Sequence, residues 1–347
     1  MLIFIFGLQV QTGVSISITK DGIMAYIDKL IDYAVFNLQN FDFGNFDEKI
    51  DLGLTGFRVQ IDNIRITDFM AYNYTFTLQP QYFDIKNAVI QGSLQYNIFQ
   101  TSFPYLEFKG GSTGLMNLNV FAEVNFYLNE STKLLNFKLV SISTQIVNIE
   151  LYLQDGYLNQ LFTTFKYVFE DLITKAIFPV GYQILGQIIN GFLNFNYLIK
   201  SGECTYSYQF NNFKVDSRYI VFQHQGFCNT AVDTFLLPDN YTSDQINYII
   251  SIDVIKSVFG ENIQISIRNG IVVRLNGLKS LCQVVLKSVV DDNDNTKLRG
   301  QVQLNCENKQ IEMLFNKNAP LLYNVWFVQF GNIIYQPNYV ILTGYFI

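Results

Sequence analysis

Met116-Asn-Leu118-Asn-Val120-Phe-Ala122-Glu-Val124-Asn-Phe126 has an apolar side chain at every second position, with polar residues between them except at Phe121. Successive strand residues point to opposite faces, so this stretch reads as a β-strand with one continuous apolar face. The same period of two appears upstream in Phe57, Val59 and Ile61, in Tyr72, Tyr74 and Phe76, and in Ile85 with Ala88–Ile98. Downstream it returns in Val147, Ile149, Leu151 and Leu153. A sheet of long strands with one apolar face must be covered or must curl onto itself.

The cover is next in the chain. Over Tyr157–Leu193 the apolar positions Leu158, Phe162, Phe165, Phe169, Leu172 and Ile173 recur at helical spacing, and Ile177, Leu185, Ile188 and Phe192 continue it. An unbroken helix here would be about 55 Å long, with a kink expected at Pro179. Gln183, Gln187 and Asn190 make it too polar to span a membrane. A second amphipathic helix is predicted near the start. Strand Gly13–Thr19, with Val14, Ile16 and Ile18 on one face, runs into Ile23, Ile27, Leu30, Ile31, Ala34 and Leu38. That spacing predicts a helix over about 21–39, capped by Thr19 or Asp21.

Asn194–Lys200 reads as the crossing between two halves, 13–199 and 200–347. The second half restarts in strands: Tyr206–Phe210, Tyr219–Gln225, Ile246–Ile252, Ile263–Arg268 and Ile271–Leu275. It ends in Tyr323–Phe330 and Tyr339–Phe346, with a short helix at Asp253–Phe259. Each half thus contains a strand leading directly into an amphipathic helix, Val14–Thr19 before Asp21–Gln39 and Ile249–Ile252 before Asp253–Phe259. This echo suggests two copies of one plan, the second reduced.

Composition narrows the function. Apolar residues make up 49% of the 347 and charged residues only 15%, against a usual charged share of about 25%, which excludes a disordered chain. The net charge is −6 and the 23 Lys and Arg form no run, so nucleic acid is not an expected partner. One histidine, His224, excludes a two-histidine metal site and leaves most catalytic triads without a base. No Gly-x-Ser-x-Gly, phosphate loop or zinc spacing occurs, so the chain is not expected to be an enzyme or to hold a cofactor or metal. Asp291, Asp292 and Asp294 form a solvated turn rather than a calcium loop, which would need the Gly and terminal Glu of an EF-hand.

The cysteines point to an oxidising compartment. All four, Cys204, Cys228, Cys282 and Cys306, follow position 200. Cys282 and Cys306 are equidistant from Asp294 in a strong turn signal, and Cys204 and Cys228 are equidistant from Asp216. Hairpins at those turns predict the disulfides Cys204–Cys228 and Cys282–Cys306; the alternative is four buried thiols. Residues 1–12 read as a signal-peptide remnant or N-terminal extension, with a buried strand as the alternative. The sequons at Asn73, Asn129 and Asn240 are candidate glycosylation sites. Together these favour a secreted protein or one in the secretory lumen.

Taken in order, these segments resemble the BPI/LBP/CETP/PLUNC family of lipid-binding and lipid-transfer proteins. Gly13-Val-Ser-Ile-Ser-Ile-Thr-Lys-Asp-Gly-Ile23 is similar to the family's opening. Pro80-Gln-Tyr-Phe-Asp-Ile-Lys-Asn-Ala-Val-Ile-Gln-Gly92 and Met116–Phe126 resemble its central strands. Asp155-Gly-Tyr-Leu-Asn-Gln-Leu161 resembles the entry to its long second helix, and Tyr335-Gln-Pro-Asn-Tyr-Val-Ile-Leu-Thr-Gly344 its last strand. The resemblance implies an α+β, elongated, boomerang-like two-domain fold. Each half would be a highly curved antiparallel sheet or barrel, with the long helices mainly in the N-terminal half and a reduced C-terminal half. It also implies that 13–199 is a lipid-binding domain and 200–347 a shortened second one. Two departures stand out. Residues 1–203 lack the family's disulfide between strand and helix, which would sit near Ser141, Ser143 and Phe178, and no second long helix follows Lys200.

The implied function is to shelter the acyl chain of a phospholipid or similar amphiphile in an apolar tunnel between helices and sheet, and to transfer it, with transient docking on a membrane or lipid particle. The predicted lining is Ile27, Leu30, Ile31 and Ala34 from the first helix and Phe162, Phe165, Phe169, Ile173 and Ile177 from the second. Met116, Leu118 and Val120 would come from the sheet. The alternative is a secreted innate-defence protein recognising bacterial lipopolysaccharide, disfavoured by the acidic run Asp42, Asp47, Glu48 and Asp51.

Overall fold

A computed structural model describes residues 12–39, 43–51, 53, 55–153, 166, 170–171, 174–175, 178–193, 198–229, 237–238, 242–260, 262–291, 294–322 and 328–347. The alternating segments of the first half build one five-stranded sheet. Its strands are β2 (Phe46–Asp51), β3 (Gly56–Leu78), β4 (Gln81–Gln100), β5 (Glu107–Leu128) and β6 (Leu135–Leu153), ordered β2-β3-β4-β5-β6. The two runs at Phe57–Ile61 and Tyr72–Phe76 are one strand of 23 residues, not two. The β3–β4 ladder shifts between Asp62 and Arg65 and again between Ile66 and Asp68, with Asn63 at φ 50°. Each bulge moves the alternation by one residue and adds twist, so the sequence pattern breaks where the strand does not. The β4–β5 ladder shifts likewise between Ile85 and Ala88, and there the Asn87 N–H donates to Asn119 Oδ1 at 3.0 Å.

Helix α1 (Lys20–Gln39) starts where Thr19 Oγ1 accepts the Gly22 N–H at 3.2 Å, as the sequence led one to expect. The described part of the second expected helix is α2 (Phe178–Leu193), which includes Pro179. Most of the rod expected upstream, 157–177, lies outside the described residues. Asn190, which interrupts the apolar face of α2, has a structural task. Its Oδ1 accepts the Phe137 N–H at 2.8 Å and its Nδ2 donates to the Phe137 carbonyl at 3.2 Å. The outermost strand β6 is thereby tied at its start to the helix.

The second large sheet centres on β1 (Val14–Thr19). Its other strands are β9 (Phe210–Val215), β10 (Tyr219–His224), β11 (Ile246–Ser251), β16 (Val328–Gln336) and β17 (Tyr339–Phe346), in the order β16-β17-β11-β1-β10-β9. β11 runs into helix α3 (Ile252–Phe259), capped by Ser251 Oγ accepting the Asp253 N–H at 3.1 Å. The strand–helix echo is therefore a local two-fold. β1 and β11 are antiparallel neighbours. The Thr19 N–H reaches the Gln245 carbonyl at 3.0 Å, and the Ser251 N–H reaches the Gly13 carbonyl at 2.8 Å. Hairpins β9–β10 and β16–β17 flank the pair on its two sides.

Four more strands form β12 (Ile263–Ile267), β13 (Ile271–Leu275), β14 (Leu278–Asp291) and β15 (Asp294–Cys306), followed by helix α4 (Lys309–Lys317). Sequence periodicity missed α4, whose signal is brief: Asn308 Oδ1 caps it by accepting from Gln310 N and Ile311 N, and only Ile311 and Phe315 are buried. Cys282 pairs with Cys306 directly across the β14–β15 ladder. Cys204 pairs with Cys228, and their stretches lie antiparallel as the arms of the expected hairpin: Tyr206 bridges Cys228, the Gly226 N–H donates to the Ser207 carbonyl at 3.0 Å and the Asn229 N–H to the Thr205 carbonyl at 3.1 Å. Cys204 starts β8 (Cys204–Ser207), which also pairs with β7 (Leu198–Ser201), and the β9–β10 turn around Asp216–Arg218 closes the same hairpin.

The chain divides into two compact units that cut across the boundary expected at 199/200. One comprises the stretch ending at Ile27 with 126–136 and 192–347; the other comprises 28–125 and 137–191. The first strand belongs with the C-terminal half because β1 is hydrogen-bonded to β10 on one side and to β11 on the other. Among the described residues no helix is long and apolar enough to cross a membrane.

Candidate functional site

The inner face of the five-stranded sheet carries two apolar clusters. One holds Val59, Ile61, Ile64, Tyr96 and Ile98; the other holds Ala88, Met116, Leu118, Ile149 and Phe178. Between them two facing positions of the sheet carry no side chain. Gly92 on β4 stands directly opposite Gly114 on β5, with Ile66 of β3 opposite Gly92. A Cβ on Gly92 would stand 2.9 Å from the Arg65 carbonyl oxygen, and one on Gly114 would stand 2.6 Å from Leu151 Cδ2. The neighbouring chains lie too close for any side chain at Gly92, so the pair paves the sheet with backbone.

The result is a hollow of about 690 Å3, counting the space that opens to solvent. Ile64, Ile66, Ile90, Leu94, Ile149 and Leu151 form its walls with Met116, over the Gly92–Gly114 floor. Ile90, Leu94 and Leu151 are only partly buried, which leaves apolar surface facing the space. The polar members are Arg65, Ser93 and Ser112, and the Ser112 hydroxyl already donates to the Thr113 carbonyl at 3.3 Å. No carboxylate, imidazole or thiol is among the described lining residues. In the adjoining cluster the Tyr182 hydroxyl pairs with Thr144, and burial pushes its pKa up, so it remains a neutral phenol. The arrangement can exclude water from an apolar group.

Of the residues nominated from the sequence, Met116 lines the hollow, and Leu118 and Val120 belong to the cluster beside it. Ile27 is buried but is not among the residues lining the hollow. The side chains of Leu30, Ile31 and Ala34, and residues Phe162, Phe165, Phe169, Ile173 and Ile177, lie outside what the structure describes. Sequence reasoning missed the floor and most of the walls. The available signal was glycine inside two strands, which marks close backbone approach. Asn73 is exposed on β3. Asn129 sits in the β5–β6 turn, its Oδ1 accepting from Ser131 Oγ at 2.7 Å; Asn240 is outside the described residues.

The other unit holds a smaller space of about 270 Å3, counted the same way, beside Val14, Tyr208, His224 and Tyr248. Tyr208, on its lining, donates its hydroxyl hydrogen to the Leu321 carbonyl. Among the described residues no group of His, Cys, Asp and Glu is placed to hold a metal ion.

No protein-family profile matches the chain, and no curated protein matches it in sequence. Its fold does have a solved counterpart. A crystal structure of lipopolysaccharide binding protein superposes with a TM-score of 0.61 at 12% identity, covering 97% of this chain and 99% of the other. Takeout 1 of Epiphyas postvittana aligns over 47% of this chain and 90% of its own, at 10% identity and a TM-score of 0.30. The first likeness, running end to end, shows that the chain has a BPI-like α+β fold.

Proposed function

We propose that this chain binds an amphiphilic lipid, with an acyl chain lodged in the hollow above Gly92 and Gly114 and the polar headgroup at its open side. The hollow carries this reading: partly buried aliphatic walls over a floor from which side chains have been removed. Burying a methylene gains about 0.8 kcal/mol, so a chain of about 16 carbons gains roughly 12 kcal/mol if fully sheltered. No catalytic group is needed for that task. Phospholipid is the substrate class proposed, and α1 with the 157–193 segment is the proposed cover, bringing Ile27, Leu30, Ile31, Ala34 and the phenylalanines Phe162, Phe165 and Phe169 around the chain, with Ile173 and Ile177. In domain terms, 13–199 is the lipid-holding part. The two disulfides support a secreted protein, and Asn129, in an exposed turn, is a candidate glycan acceptor. Transfer between membranes is part of the same proposal.

Lipopolysaccharide is a second reading, favoured by the name of the solved protein with this fold. The acidic edge strand β2 weighs against it: Arg58 is engaged by Asp47, whose pKa it holds down to about 2, and Glu48 and Asp51 lie exposed alongside. Organic extraction of the purified chain followed by mass spectrometry tests the main proposal. Lipid is expected in the extract, and Leu94→Trp, which fills the hollow from a partly buried wall, is expected to lower it. A folded Leu94→Trp protein that carries as much lipid as the parent overturns the site. Retention on immobilised lipopolysaccharide at physiological salt, without phospholipid in the extract, favours the second reading.

A further inference from the structure

The β4–β5 connection, Thr101-Ser-Phe103-Pro-Tyr105-Leu106, leaves its largest side chains bare. Phe103 is 84% exposed and Tyr105 70%, with Leu106 exposed beside them. An exposed aromatic in water is normally tolerated singly, not as a cluster at a hairpin end. This cluster is held in place. Phe103 and Tyr105 pack edge to face with ring centroids 6.3 Å apart. The Tyr105 N–H donates to the Ser102 carbonyl at 2.9 Å, the Gln100 N–H to the Leu106 carbonyl at 2.8 Å and the Thr101 N–H to the Gly56 carbonyl at 2.7 Å. Side chains tie the loop to the β2–β3 turn, with Thr55 Oγ1 and Ser102 Oγ 2.9 Å apart and Gln100 Nε2 donating to Thr55 Oγ1 at 3.1 Å.

We propose that this loop is a membrane-docking surface that seats Phe103, Tyr105 and Leu106 in the headgroup layer of a zwitterionic phospholipid bilayer. Three observations select that partner. The segment Thr101–Leu106 has no charged residue in a protein of net charge −6, so anionic lipid is not what draws it. Phenylalanine, tyrosine and leucine are the side chains that partition to the boundary of headgroup and acyl chain. The loop amides at Gln100, Thr101 and Tyr105 are already paired, which removes the cost of taking them from water. The place also fits: Leu94, a wall of the hollow, lies on the same strand about 20 Å before Gln100 at the rise of a β-strand. The purpose of docking there rests on the lipid-binding reading; the surface itself does not.

Flotation of the full chain with phosphatidylcholine vesicles tests the proposal. The parent is expected to float with the vesicles. Phe103→Ser with Tyr105→Ser is expected to reduce the bound fraction about tenfold or more. The lipid recovered by extraction and the near-ultraviolet dichroism should be unchanged. Val140→Ser with Val147→Ser, which removes exposed apolar groups from β6, is expected to float like the parent. In Phe103→Trp, brominated lipid should quench the new fluorophore. A parent that does not float, or a loop variant that floats equally well, overturns the proposal. So does a loop-dependent interaction with a protein while vesicle binding stays intact. Should the hollow reading fail instead, extracts are empty while flotation remains loop-dependent.

Discussion

His224 is the single histidine of the chain and is 1% exposed, its ring 4.8 Å from that of Tyr208 and 6.4 Å from that of Phe210. Burial among rings and aliphatic groups penalises the cation and lowers its pKa from 6.5 to about 3. The unfolded chain takes up a proton near 6.5 and the folded chain does not until about 3, so acidification through that window favours unfolding. The slope approaches about 1.4 kcal/mol per pH unit. His224→Phe should remove that slope, so the stability difference between parent and variant, read from urea midpoints, should drift toward the variant from about pH 7 to about pH 4.5. A constant difference would mean that the histidine is protonated in the fold. Depressed carboxylates such as Asp47, at about 2, lose their contribution at lower pH and do so in both proteins, so they cancel. Asn190 gives a prediction of another kind. In the sequence it reads only as a polar break in an apolar helix face; in the structure it makes two hydrogen bonds to the Phe137 backbone of β6. Asn190→Ala should cost about 1–3 kcal/mol by chemical denaturation, because it removes two hydrogen bonds worth about 0.5–1.5 kcal/mol each.

At the level of elements, the strands whose pattern is clean were legible, and those whose pattern is broken were not. β1, β13 and β17 lie within a residue or two of their expected places because one face of each is buried over most of its length. β3 was split because its bulges reset the alternation at Asn63 and again near Ile66. β2, Phe46–Asp51, was not foreseen because charge is how a sheet edge avoids pairing with other chains, and charge is also how a loop looks in sequence. The hollow was half legible for a related reason. Met116 stands out in an alternating strand, whereas Gly92 and Gly114 contribute the absence of a side chain, which no periodicity registers. The β14–β15 hairpin was the clearest case, since its turn and its cysteines agree. Its disulfide closes a loop with a separation of 24 residues. Closure of a loop of that size is worth about 3 kcal/mol, so Cys282→Ala with Cys306→Ala should lower the melting temperature by several degrees while leaving the lipid extract unchanged.

Across the whole chain, stabilising devices and the apolar hollow are divided between the two compact units. The unit containing β1 and the C-terminal half has both disulfides, the two-fold pairing of β1 with β11 and a core in which Tyr206, Phe210 and Phe315 are wholly buried. The unit of 28–125 and 137–191 contains no cysteine and leaves Ile90, Leu94 and Leu151 partly uncovered around the hollow. A bound acyl chain would supply there the burial that side chains supply in the other unit, and a ligand bound only to the folded state stabilises it by mass action. The two units should therefore answer to different reagents. In calorimetry, a thiol reductant is expected to lower one unfolding transition and leave the other in place. Delipidation by organic extraction is expected to lower the second and spare the first. If reductant and delipidation move the same transition by the same amount, the hollow is not where lipid contributes its stability, and the division of labour between the units is wrong.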